Sequence, residues 1–499
     1  MKKINLILLA CSISTLAIGQ TVKSAVNYAT QDIIGSGRYV SMGGAFTALG
    51  GDLSSVKLNP AGAGLKRSDE WAVTGAFTMF KSTSNGGGNS FENSLNNFSI
   101  PDITYTKVNP TKDRYWKTVN FTVGFQRVNN LNSVIQTQGS GRFKSYLNSL
   151  KETAQEYKDI SRPLEVSSWA YQAFQTFLID TNQKGLYYSM IEDDGQDFTY
   201  DYDSEGRMQE MFITISTSYK EKFFIGGTLG FPIVRQTTYS KLTESNFLYP
   251  RTDLILNGTQ TQLTSAHFET RHDVTGSGVV GKFGVIYKVD KSFRIGGSYH
   301  TPTYYNLEDI FSYTTTAYFK DFNTQRIRYG GGAYFNLVLP AQYNLGMSYV
   351  FGKKGLISFD YNYTDISTTE YIVPVHDINY EYFNGNPTNG SRGVNDVLAE
   401  ELTGSHTIKL GGEYNMKPFR VRGGFSTQSS PYKNSENLKS FTYSGGLGYS
   451  RKEFYVDLGY AYRTTEETIR LDAYEGPEGV ADETYDQHQV VLTVGVKVR

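Results

Sequence analysis

From residue 69 onward this 499-residue chain repeatedly alternates apolar and polar side chains, and after its first nineteen residues it has no long apolar run. A period of two puts successive side chains on opposite faces of a strand. A bilayer-crossing helix needs about 18 or more consecutive apolar residues, so helical membrane spans are excluded. The clearest segment is 454–463: Phe454, Val456, Leu458, Tyr460 and Tyr462 share one face, and Tyr455, Asp457, Gly459, Ala461 and Arg463 the other. The C-terminal segment repeats the pattern, with Val490, Leu492, Val494, Val496 and Val498 on its apolar face. Comparable alternation at 119–125, 211–219, 357–363, 408–414 and 419–425, and weaker alternation in seven further segments, predicts about fourteen strands, an even number as bacterial outer-membrane barrels have.

The connections add a second-order pattern. Tight polar turns are expected at 219–222, 289–291, 352–354, 416–418 and 450–452, and long connections at about 129–209, 241–275, 316–331, 367–405 and 464–487. Short turns at one end and long loops at the other are the asymmetry of an outer-membrane barrel. The 38 Tyr and 30 Phe beside a mean hydropathy of −0.40 suit strands with a lipid face, a wet face and aromatic girdles. A formal charge of −1 argues against a nucleic-acid partner. Lys2 and Lys3 followed by an apolar stretch read as a secretory signal over residues 1–19, with the mature chain starting at Gln20 and carrying no cysteine, since Cys11 is the only one. The fold expected is all-β: an antiparallel transmembrane β-barrel of about 14 strands over residues 69–499, monomeric in the outer membrane of a Gram-negative bacterium and in contact with its lipid, with an N-terminal plug, or hatch, over residues 20–68.

That N-terminal segment does not alternate. It is rich in small residues, with Met42-Gly43-Gly44-Ala45-Phe46-Thr47-Ala48 followed by Asn59-Pro60-Ala61-Gly62. A compact body inside a barrel needs small volume and tight turns. These two runs resemble the N-terminal hatch of the FadL/TodX family of outer-membrane channels for long-chain fatty acids and hydrocarbons. The resemblance implies a fourteen-stranded barrel with a plug and passage of a hydrophobic small-molecule ligand down its gradient, released when the hatch shifts, with no chemistry and no cofactor. It transfers to Gly43, Gly44, Asn59, Pro60 and Ala61. The largest connection here follows the third strand, whereas the family's groove-bearing loops come later. The alternative function is a partner-binding component of a protein secretion system.

Other candidates follow from the residues. Two amphipathic helices are expected in the largest loop, where Trp169, Tyr171, Phe174, Phe177 and Leu178 either form an apolar ligand groove or pack on the first helix. Arg420 and Arg422, on the polar face of their strand, either anchor the plug or hold a carboxylate head group. Asp201-x-Asp203-x-Glu205-Gly206 has the start of a calcium loop, but Phe212 stands where its bidentate glutamate belongs, so no metal is expected and an acidic external loop is. Gly276-Ser-Gly278-Val-Val-Gly281 has dinucleotide spacing but precedes a strand. Six scattered histidines lie in no catalytic motif, so no enzyme is expected. Pro232 predicts a bulge or gap in its strand.

Overall fold

In a computed structural model, the residues described are 15–86, 89–141, 144–157, 168–256, 258–373, 384, 393–433, 440–470 and 480–498. Most of the leader expected over residues 1–19 lies outside them, and a helix α1, Thr15–Ala29, runs across the expected mature start at Gln20.

The strands close into a fourteen-stranded antiparallel barrel. In chain order they are β1 (Asp69–Gly86), β2 (Asn89–Pro110), β3 (Trp116–Asn130, continued by Ser133–Gly141), β4 (Gln196–Tyr219), β5 (Phe223–Ser245), β6 (Leu263–Lys288) and β7 (Phe293–His300 with Thr303–Phe319). There follow β8 (Phe322–Leu339 with Gln342–Val350), β9 (Gly355–Asp365, continued by Glu370–Ile372), β10 (Gly404–Met416), β11 (Phe419–Gln428), β12 (Ser440–Ser450), β13 (Phe454–Arg470) and β14 (Val480–Val498). Closure comes from β1 against β14, in register from Asp69↔Val498 to Asn85↔Asp482. It removes both open edges of the sheet, each of which would present unpaired N–H and C=O groups.

The faces fall as the alternation predicts. On β13, Phe454, Leu458 and Tyr460 are exposed while Asp457, Gly459 and Ala461 are buried; on β14, Val490, Leu492, Val494 and Val496 are exposed while Val491, Thr493 and Gly495 are buried. Outward-facing Leu345 and Phe283 reach 61% and 59% exposure, part of an apolar belt around the barrel far larger than a water-soluble surface carries.

The strands outrun the alternating segments, which corrects the expected loops. The connection expected at 316–331 is a tight hairpin, with Thr303–Phe319 paired to Phe322–Leu339. The acidic residues Asp201, Asp203 and Glu205 lie on β4, paired with β5, and not in a loop. The reason is physical: beyond the apolar belt both faces of a strand are wetted or covered by loops, so nothing enforces alternation there.

At Pro232 the expectation holds on one side only. Toward β4 the ladder is continuous through Glu210↔Pro232, whereas toward β6 it passes from Ser277↔Ile233 to Val280↔Gly230 and skips Phe231 and Pro232. Two further interruptions lie at the same level on the next strands. Thr301-Pro302 splits β7 and Pro340-Ala341 splits β8, opposite each other between the pairs His300↔Gln342 and Thr303↔Leu339. Thr301 bridges part of the break, its amide donating to the Gly281 carbonyl (2.9 Å) and its hydroxyl accepting from the Gly281 amide (3.0 Å).

Candidate functional site

The chain before β1 is built from short, tightly turned pieces. Ser36 caps the five-residue helix α2, Gly37–Ser41, accepting from the Tyr39 amide at 3.1 Å. Gly43 and Gly44 then turn the chain with φ of 61° and 73°, a region that a side chain would strain. The 3₁₀ turn Pro60–Leu65 starts with Asn59 as its cap, its Oδ1 accepting from the Ala61 amide at 3.0 Å, and Pro60 at the first position, where a missing N–H costs nothing.

These pieces touch inward-facing atoms all around the ring. The Asn59 Nδ2 donates to the Thr47 carbonyl (2.7 Å) and to wall carbonyls of Val285 on β6 (3.1 Å) and Gly297 on β7 (3.3 Å). The Thr47 amide donates to Asp360 on β9 (2.7 Å), the Gly43 amide to Ser444 on β12 (3.1 Å) and the Gly37 amide to Thr493 on β14 (2.8 Å). Asn120 on β3 donates to the Ala63 carbonyl (2.8 Å), and Ser54 to Asp102 on β2 (2.6 Å). A buried ion chain adds to this: Arg38 meets Glu413 (2.9 Å), which meets Arg422 (2.8 Å), which meets Asp457 (2.7 Å).

The wall carries a matching relief that the sequence reading missed. Four cross-strand glycine pairs, Gly226↔Gly284, Gly296↔Gly346, Gly411↔Gly424 and Gly446↔Gly459, face this segment. A Cβ on Gly296 would stand 2.6 Å from the Thr47 carbonyl oxygen, and one on Gly411 2.5 Å from that of Met42. The signal was present as Gly-Gly doublets at 226–227, 296–297, 411–412, 423–424 and 445–446, in which one glycine points in and the other out.

Within the segment, burial raises the carboxyl pKa of Asp52, while Arg38 nearby opposes the rise and Ser36 donates to both oxygens at 2.9 Å. Burial pushes Lys57 down to about 7, although its ammonium donates to the Ile34 carbonyl and lies 4.7 Å from the Tyr39 ring centroid.

The expected site residues divide as follows. Gly43 lies against β10 and β11 at Leu410 and Phe425, Asn59, Pro60 and Ala61 lie against β5 and β6 at Gly226 and Gly284, and Gly44 packs on Tyr39 and Ile33 within the segment, so the five do not form one cluster. Arg422 is fully enclosed by its two ion pairs, whereas Arg420 is half-buried with no hydrogen-bond or ion-pair partner among the described residues. In the long loops, helices α3 (Tyr146–Tyr157) and α4 (Ser168–Gln175) share one apolar cluster with the outer ends of β4, β5, β6 and β7. Trp169 lies edge-on to Tyr146, Phe268 and Tyr313 at 6.4, 5.7 and 5.3 Å. Leu178 is wholly buried; Tyr171, Phe174 and Phe177 are half-buried, with Phe174 against Tyr187. Glu244 accepts from the Tyr146 amide at 2.8 Å, placing a negative charge at the start of α3. Dinucleotide-like 276–281 is a stretch of β6, as its strand context implied.

Between the N-terminal segment and the interrupted wall lies a small, partly open cavity. Its lining is mixed: Val128, Met208, Val280, Tyr305 and Leu339 are apolar, Gln31, His300 and Gln342 are polar, and Pro232 and Pro340 form part of its outer side. One buried ion pair, Lys282 to Glu210 at 2.6 Å, borders it.

No family model and no curated protein sequence matches the chain. Solved structures do. The crystal structure of a Pseudomonas aeruginosa FadL homologue superposes with a TM-score of 0.53 at 13% identity, over 94% of this chain and 100% of that one. The P. putida toluene transporter TodX gives 0.53 at 14% identity over the same shares. At such identities the likeness speaks to fold alone, and on it this chain has the barrel fold of FadL- and TodX-type proteins.

Proposed function

We propose that this protein is an outer-membrane channel that lets small hydrophobic molecules, fatty-acid- or hydrocarbon-like, diffuse across the membrane, with residues 20–68 as the plug that gates it. The apolar belt is then the bilayer contact of a monomeric barrel, and the leader over residues 1–19 its export signal. The observation that carries the reading is the fit of the N-terminal segment to the inner wall, glycine to backbone, beside a cavity part of whose lining is apolar. Such a fit stops free diffusion of water-soluble solutes, while an apolar ligand gains roughly 25 cal/mol for each Å² of its surface that the cavity removes from water. Arg38, Thr47 and Asn59 hold the plug to several strands at once, so a ligand opens the path only by binding the shifted arrangement better than the docked one.

The interrupted ladder around Pro232, Pro302 and Pro340 supplies a route for an apolar ligand to leave the cavity sideways into the lipid. The external helix pair, with Trp169, Tyr171, Phe174, Phe177 and Leu178, covers the long-loop end and is the candidate capture surface. The test is flux. In liposomes, deletion of residues 35–66 should raise passive permeation of apolar and small polar solutes together. Unchanged flux would mean that this segment gates nothing.

A further inference from the structure

The two ends of the barrel carry opposite charge. The short connections at 111–115, 220–222, 289–292, 351–354, 417–418 and 451–453 hold ten lysines and arginines against four acids, and all ten are exposed. The connections at the other end, 142–195, 246–262, 320–321, 373–403, 429–439 and 471–479, hold eleven against nineteen. A chain whose formal charge is only −1 is therefore polarised along the barrel axis.

The acids at the short-turn end are largely engaged elsewhere. Asp113 accepts from the Tyr115 and Trp116 amides (2.6 and 2.7 Å), Asp290 accepts from those of Ser292 and Phe293 (2.6 and 2.8 Å), and Glu221 lies 3.7 Å from Arg67. None of the ten basic side chains makes an ion pair among the described residues. Some lie on aromatic rings instead: the Lys220 ammonium is 4.9 Å from the Tyr115 centroid and 5.3 Å from that of Tyr219, and the Arg451 guanidinium is 5.6 Å from that of Tyr449. Exposed Tyr115, Trp116, Tyr287, Tyr349, Phe419 and Phe454 form the next layer, between these cations and the aliphatic part of the belt.

We propose that the short-turn end of the barrel is seated on anionic phospholipid, its ring of cations held by headgroups that carry a phosphate and no compensating amine. The proposal rests on the reading of the apolar belt as the bilayer contact. Aliphatic, aromatic and cationic side chains follow one another in the order in which a leaflet presents acyl chains, interface and phosphates. The cations are spread over all six turns and not gathered on one side, which fits a surface of many headgroups better than a single acidic protein face. At the other end the excess of acids repels the same lipids, so the two leaflets meet unlike charges.

Two tryptophans make this readable in the unaltered chain. Trp71 and Trp116 are exposed at the short-turn edge, whereas Trp169 lies among the external helices. In bilayers of phosphatidylcholine with brominated acyl chains, bromine quenches the first two, and a competing unbrominated lipid relieves the quenching according to its affinity for this edge. Phosphatidylglycerol should relieve it at least about threefold more strongly than unbrominated phosphatidylcholine of the same chains, an advantage that shrinks in high salt. Lys112→Gln, Arg114→Gln, Lys220→Gln and Lys222→Gln combined should remove at least about half of that advantage, while Lys144→Gln with Lys151→Gln at the other end should leave it unchanged. Equal relief by the two lipids would overturn the assignment and leave the ring to an acidic soluble partner. This comparison needs only the unaltered chain, so it decides even should the fourfold variant not refold. Absence of any quenching by the brominated lipid is a different failure: it would refute the bilayer contact, and this proposal with it.

Discussion

Gly296 and Gly297 are chain neighbours on β7, and they offer a controlled test of how the N-terminal segment is seated. A Cβ on Gly296 would lie 2.6 Å from the Thr47 oxygen and 2.7 Å from the Ala48 Cα, so only backbone could yield. On Gly297 the nearest atom would be the Leu345 Cδ2 at 3.5 Å, an ordinary contact on the outer face. Overpacking of the first kind costs about 1–3 kcal/mol. Displacing Thr47 also strains its 2.7 Å bond to the Asp360 carboxylate, a charge-assisted bond of about 1.5–3 kcal/mol. Gly296→Val should therefore weaken docking by about 3 kcal/mol or more, roughly a hundredfold in the docked-to-released ratio. Hydrogen exchange reads this directly. Amides of residues 37–65 should exchange about a hundredfold faster in Gly296→Val, strand amides should keep their protection, and Gly297→Val should match the parent. If both variants protect the segment equally, the steric argument is wrong.

Three other outcomes follow from the same contacts. Arg38→Met leaves Glu413 with Arg422 alone, so docking should weaken by about 2–3 kcal/mol, read as faster exchange at residues 37–44. Lys57 is depressed to about 7, so between pH 7 and its ordinary value near 10.5 the released segment binds more protons than the docked one. Docking should strengthen as pH rises through that window, and in Lys57→Met that part of the pH dependence should vanish when exchange is corrected for its intrinsic rate. Glu244→Gln removes the charge at the start of α3 and should cost about 0.5–2 kcal/mol, seen as faster proteolysis of the 142–195 loop with the barrel intact.

Strand faces were legible because an apolar outer belt on one side and a packed interior on the other leave each position one acceptable polarity. Strand lengths were not, since β7 and β8 continue past the belt to a hairpin at Phe319 and Phe322 where no such rule acts. The Met42–Ala48 and Asn59–Gly62 runs marked the N-terminal segment by their local turn chemistry. Its seat was visible only as glycine doublets, whose meaning depends on which strands become neighbours. Arg420 and Arg422 illustrate the remaining limit. Both lie on one face two residues apart, yet Arg422 alone meets Glu413 and Asp457, because those carboxylates arrive from β10 and β13. The cavity beside the interrupted wall was invisible for the same reason: it is bounded by residues hundreds of positions apart.

Passage of an apolar molecule through this barrel is read most directly as its uptake. Proteoliposomes holding the intact chain should accumulate a radiolabelled long-chain fatty acid or toluene faster than empty liposomes, with saturation, while excluding a small polar solute of similar mass. Uptake no faster than in protein-free liposomes, for both apolar probes, would contradict the account.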